Sequence, residues 1–112
     1  MSDFAIGAIQ DALDGLAARQ RITAENLANA DTPGYLASNV TFEDSLRKAV
    51  SAGNLDNFGV GTTKSLEPTN QNGNNVNVDE ETVSLIDTGL QYQTMTTAMN
   101  NEFHLLSEAI NK

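Results

Sequence analysis

The chain of 112 residues contains no cysteine, so disulfide bonds, thiol nucleophiles and cysteine-ligated zinc are excluded. One histidine, His104, cannot build a multi-histidine metal site. Tryptophan is absent, and two Tyr and four Phe are the only aromatics. A globular domain of this size buries roughly two thirds of its unfolded surface, so Leu, Ile, Val and Ala would have to supply most of the core. Six Lys and Arg stand against fifteen Asp and Glu, a formal net charge of −9. A general nucleic-acid binder needs a cationic excess to displace phosphate counterions, and an anionic lipid surface asks for the same. The composition argues against both as main partners. No run approaches the ~20 apolar residues of a membrane span. The first residues lack a basic start, and Gln10 and Asp11 cut the apolar run, unlike a secretory signal peptide. The expectation is a cytosolic chain, or one that leaves the cell without a cleaved signal.

Residues 3–29 read as one helix, with Ser2 or Asp3 as its cap. Ile6, Ile9, Leu13, Leu16, Gln20, Thr23 and Leu27 alternate in steps of three and four, a heptad seam with two polar interruptions. Beside it runs a seam of small residues, Ala5, Ala8, Ala12 and Gly15, suited to the close approach of another helix. Pro33 is expected to end this helix, and Pro33-Gly34 to turn the chain. Residues 35–42 alternate as extended chain, with Leu36, Val40 and Phe42 on one face. Thr41 to Asp44 has the spacing of a capping box before a short helix over 42–51 that carries Leu46, Ala49 and Val50 and stops at Gly53.

Residues 53–75 turn to Gly, Asn, Thr and Pro and read as loop. Val76 and Val78 suggest a short strand, and Asp79 a cap for a second long helix over about 80–110. Leu85, Thr88, Tyr92, Met95, Met99, Phe103, Leu106 and Ile110 form its stripe; Val83, Ile86 and Leu90 add a second face in its first half. The helices are expected to run antiparallel, with Ile9, Leu13 and Leu16 against Met99, Phe103 and Leu106. The two stripes are open to two readings: an intramolecular hairpin, or contact with other copies or other proteins.

Catalytic constellations are missing. His104 lies between Phe103 and Leu105 and reads as a surface or packing residue. Gly59-Val60-Gly61 lacks the rest of a dinucleotide fingerprint. Setting Gly73 at the sixth position of a calcium loop puts Pro68, which has no ligating side chain, at the first. Asn39-Val40-Thr41 matches a glycosylation sequon and, without a secretory signal, reads as chance.

Residues 19–49 resemble the N-terminal signature of bacterial flagellar axial proteins, the family of rod and hook components. The centre of the match is Asn26-Leu27-Ala28-Asn29-Ala30 followed by Thr32-Pro33-Gly34-Tyr35, and Phe42-Glu43-Asp44 to Leu46 continues it. Residues 72–103 look like the C-terminal block of the proximal-rod members, through Asn72-Gly73-Asn74, Val76, Val78-Asp79 and Leu90-Gln91-Tyr92-Gln93.

The resemblance implies a structural subunit with no enzymatic activity and no cofactor or metal. It implies polymerisation through the terminal helices into a drive shaft that crosses the periplasm and passes torque to the hook. The implied partners are other copies, other rod and basal-body proteins, and the flagellar type III export apparatus, which would carry the chain out unfolded. Nucleic acid, membrane insertion and small-molecule substrates are not implied. Two alternatives stay open: another rod protein of the family, or a soluble coiled-coil adaptor of the export system.

The expected fold is mainly α: two long antiparallel terminal helices, a short helix and an irregular middle with minor β. The expected segments are 1–30 for the first helix, 31–52 for the turn and short helix, 53–78 for the middle and 79–112 for the second helix. Asn26 and Asn29 are expected to bond carbonyls freed near Pro33, and Tyr35 to pack its ring with its hydroxyl in water. Packing is assigned to Ile6, Ile9, Ala12, Leu13 and Leu16, and to Leu85, Tyr92, Met95, Met99, Phe103, Leu106 and Ile110.

Overall fold

A computed structural model describes residues 2–111, without the side chain of Ser2. Helix α1 spans Ser2–Ala28, strand β1 Ser38–Thr41, helix α2 Glu43–Ala52, a 3₁₀ turn Leu55–Asn57, strand β2 Gly61–Lys64 and helix α3 Val78–Ile110. Since α1 already includes Ser2, its cap position lies outside the described residues. At about 1.5 Å per residue, α3 is some 50 Å long, and the molecule is a flattened rod of 65 × 25 × 14 Å.

Helices α1 and α3 pack antiparallel. Asn26 meets Glu81, Gln20 faces Gly89, and Leu16 shares its apolar cluster with Met95. At Leu16 this is one turn nearer the start of α3 than the expected partner, Met99. On α3, Thr88 and Met99 are buried and Leu85, Met95 and Leu106 half-buried. Tyr92, Phe103 and Ile110 instead lie largely in solvent, 41%, 52% and 75% exposed. The stripe is wider than the contact: α1 covers the edge that carries Thr88, Met95, Met99 and Leu106, and the edge that carries Tyr92, Phe103 and Ile110 faces solvent. On α1, Leu16 and Ala12 are buried, while Ile6, Ile9 and Leu13 are half-buried.

At Gly15 the small-residue seam of α1 meets an aromatic ring. The atoms nearest Gly15 belong to the ring of Phe42, and a β-carbon on Gly15 would fall 2.4 Å from Phe42 Cγ. Ala12 is 8% exposed and belongs to the same intramolecular core. Leu16, Val40 and Phe42 form the centre of that core, with Ala18, Ile22, Leu46, Phe58 and Met95 against it. Full burial of a Phe side chain contributes roughly 1.5–3 kcal/mol, so this one ring is a main anchor.

Phe42 also explains why the capping box is absent. Phe42, not Thr41, occupies the cap position of α2 and makes no side-chain cap bond. Thr41 is spent in the ladder, where β1 and β2 pair antiparallel from Ser38↔Lys64 to Thr41↔Gly61. Arg19 fastens this corner. It forks onto both carboxylate oxygens of Glu43 at 2.6 and 2.8 Å, bonds the Val40 carbonyl at 2.8 Å, and lies 4.8 Å above the Phe42 ring.

Other expectations shift locally. The extended segment buries Ala37 and Val40 and leaves Leu36 exposed, so its alternation breaks before β1. In α2, Ala49 is buried but Val50 is exposed, and Gly53 ends the helix as expected. Val76 and Val78 form no strand: Val78 opens α3, and Asn77 rather than Asp79 caps it, its Oδ1 accepting from Glu80 N at 3.1 Å.

Candidate functional site

The residues that carry the two sequence signatures meet at one place. Helix α1 ends at Ala28, well before Pro33, and a series of tight turns leads on to Thr32 and Tyr35. The carbonyls left open by that ending need donors. The Glu25 carbonyl takes the Asn29 N–H at 3.1 Å and, beside it, Asn29 Nδ2 at 2.8 Å. The Asn29 and Thr32 carbonyls are bonded from across the molecule, both by Nδ2 of Asn74 at 2.8 Å. Asn74 is fully buried, and its Oδ1 accepts from Val76 N at 2.8 Å.

Asn26 takes a different part from the one its position suggested. It too is fully buried, but it bonds no freed carbonyl of its own helix. Its Nδ2 donates to the Ser38 carbonyl at 2.8 Å and to Glu81 Oε2 at 3.1 Å. Its Oδ1 accepts from Ser38 N at 3.0 Å and from the Tyr35 hydroxyl at 3.2 Å. All donor and acceptor capacity of the amide is used, and α1, β1 and α3 are joined through one side chain. The Tyr35 hydroxyl is thus tied inward rather than left to water. Burial, followed by the Glu25 and Glu81 carboxylates, raises its pKa above the usual phenol value.

Asn75 completes the arrangement. Its Oδ1 accepts from Ala37 N at 2.7 Å, and its Nδ2 reaches the Ser65 and Glu67 carbonyls at 3.2 and 3.1 Å. The backbone adds Gly34 N to the Asn72 carbonyl at 2.8 Å and Asn75 N to the Tyr35 carbonyl at 3.2 Å. Gly34 and Gly73 both have left-handed backbones, φ 75° and 82°. The asparagine-rich stretch, which as bare sequence reads as loop, is a clasp of backbone-satisfying amides.

The remaining motif positions frame this clasp. Leu27 and Ala30 are half-buried, Ala28 and Pro33 exposed, and Thr32 Oγ1 donates to Asn29 Oδ1 at 3.0 Å. Among the described residues no group of three His, Cys, Asp or Glu is placed to hold a metal ion. His104 is exposed and pairs with Glu108 at 3.3 Å. Chemically, the junction can fix geometry; the sequence reading put Asn74 in the second signature without a role and missed Asn75 and Asn77, because a tract of asparagines gives no sign of its targets.

The clasp joins segments that comparison with known proteins sets in a family. A family model described as "Flagella basal body rod protein" matches residues 6–35, which take in α1 and the turn to Tyr35. The flagellar basal body rod protein FlgB of Salmonella typhimurium is 31% identical, over 89% of this chain and 88% of the relative. The FlgB of Aeromonas hydrophila is 30% identical over 96% and 93%. The chain belongs to the FlgB family of flagellar basal body rod proteins. FlgB of Bacillus subtilis, at 29% identity over 91% of this chain and 89% of its own, has the same extent. Membership in the FlgB family makes this a structural protein of the flagellar rod.

Proposed function

We propose that the chain is a subunit of the proximal rod that polymerises through the outer faces of its long helices, chiefly α3. The observation that carries this is the unpartnered front face of α3. Val83, Ile86 and Leu90 are 66%, 61% and 58% exposed, in a row along a helix whose other side packs on α1. Contiguous exposed apolar residues mark interaction surfaces, and a shaft requires contacts between copies. The partners in this reading are further copies and other rod and basal-body proteins, and the product is a shaft that crosses the periplasm and passes torque from motor to hook.

Export as an unfolded chain by the flagellar type III apparatus, without a cleaved signal, belongs to the same reading. The absence of cysteine and the small aromatic core suit a chain that folds after passage. No catalytic role is assigned in this reading: the part given to the buried amides of the junction is to hold its segments together. Deletion of the gene tests the proposal. The expected result is cells with neither hook nor filament, restored by the intact chain. Complete flagella in the deletion strain would refute it.

A further inference from the structure

We infer that the Asn72–Gly73 peptide is a modification site gated by folding: it rearranges through a succinimide to isoaspartate in the unfolded chain, and the closed junction holds it unreactive. Of the thirteen asparagines, only Asn72 is followed by glycine. With no side chain on the following residue, the backbone nitrogen of Gly73 can reach Cγ of Asn72. It forms a new C–N bond there, the side-chain amide nitrogen leaves as ammonia, and a five-membered imide results. Water opens the imide at either carbonyl to give aspartate or isoaspartate. One water enters and one ammonia leaves, so no oxidant or other co-reactant is needed.

The fold opposes each requirement of that ring closure. The nucleophile must lose its proton, but Gly73 N–H donates to the Asn70 carbonyl at 2.9 Å. The peptide must rotate, but the Asn72 carbonyl is held by Gly34 N at 2.8 Å and Gly73 backs directly onto Gly34. The side chain must swing free, but Asn72 Oδ1 accepts from Asn74 N at 3.1 Å. Asn72 itself is exposed, so the protection comes from positioning and not from exclusion of water. Isoaspartate would insert a methylene into the backbone and add a charge beside Asn74. A chain modified while unfolded could then no longer place the residue-72 carbonyl under Gly34 N, and the junction would not close. This inference rests on the junction alone and is independent of the assembly reading.

The test incubates the full chain at mildly alkaline pH with and without urea and maps the peptide that contains residue 72 for succinimide and isoaspartate. Asn72→Gln identifies the site. Product should accumulate at least about tenfold faster in urea, in line with an opening equilibrium that favours the closed junction. In the absence of urea, Asn74→Ala should bring the rate toward the unfolded value. Equal rates for the natural chain in both conditions would overturn the gating, and no product in either would overturn the site. The natural-chain comparison decides the matter even if Asn74→Ala fails to fold.

Discussion

A β-carbon built on Gly73 would stand 3.3 Å from Cα of Gly34, so the two glycines close the two signature segments back to back. Both have positive φ, but a β-carbon on Gly34 would meet nothing within 4 Å. The pair therefore separates two effects. Gly34→Ala should cost only the left-handed backbone, about 1–2 kcal/mol. Gly73→Ala should cost that and the displacement of Gly34 as well. Urea unfolding of the two variants checks the order; equal losses would mean that the close approach does not matter.

Asn26 donates to Glu81 from a fully buried position. Asn26→Asp keeps the shape but removes the donor and sets a second carboxylate beside the first. A loss of about 2–3 kcal/mol is expected at neutral pH, since buried partners are left unsatisfied. The loss should shrink as pH falls and the introduced carboxyl takes a proton, which restores a donor. Unfolding of the variant and the natural chain across that range is the measurement, and a pH-independent difference would contradict the account.

Gly15 lies under Phe42. Gly15→Ala gains about 1 kcal/mol of helix propensity and drives a methyl into the ring, an overpacking that costs typically 1–3 kcal/mol. The closeness of the clash, 2.4 Å, puts the net effect on the destabilising side. Phe42→Leu in the same chain should recover part of the loss, and calorimetry of the single and double variants tests it.

The Arg19 fork holds the Glu43 carboxyl below its usual range, at about 2. A carboxylate with a lowered folded pKa adds stability that is fully present above its unfolded value and is lost as pH falls through the folded one. Solvent screening at this half-open pair limits the contribution to about 1 kcal/mol. Glu43→Gln should therefore be less stable than the natural chain at neutral pH, and the difference should fade as pH falls from about 4.5 to about 2. A difference that persists at the acid end would assign it to packing instead.

The long helices, their antiparallel pairing and the stop at Gly53 were legible because apolar spacing and helix punctuation are local signals. Strand β2 was not, because Gly61-Thr62-Thr63-Lys64 has no apolar alternation and all four residues are exposed. It is set by distant partners: β1 along its length, and Ala37 and Asn75 at Ser65, just after its end. The small-residue seam showed that something comes close to α1 but not what, and an aromatic ring proved to fill Gly15. The asparagines were legible as irregular chain only. Which carbonyl an amide will bond depends on how distant segments fold together, and that information lies in tertiary structure.

In the proposed assembly the α3 face at Val83, Ile86 and Leu90 is covered in the rod. Because the chain has no cysteine, Ile86→Cys introduces a single thiol at the centre of that face. Its alkylation rate, measured in the free protein and in basal bodies purified from a swimming strain, is the direct test. The expected result is rapid modification of the free protein and at least about tenfold protection in the rod, as for a group removed from solvent at a packed interface. Equal reactivity in both would show that the face stays open to solvent and that assembly runs through another surface.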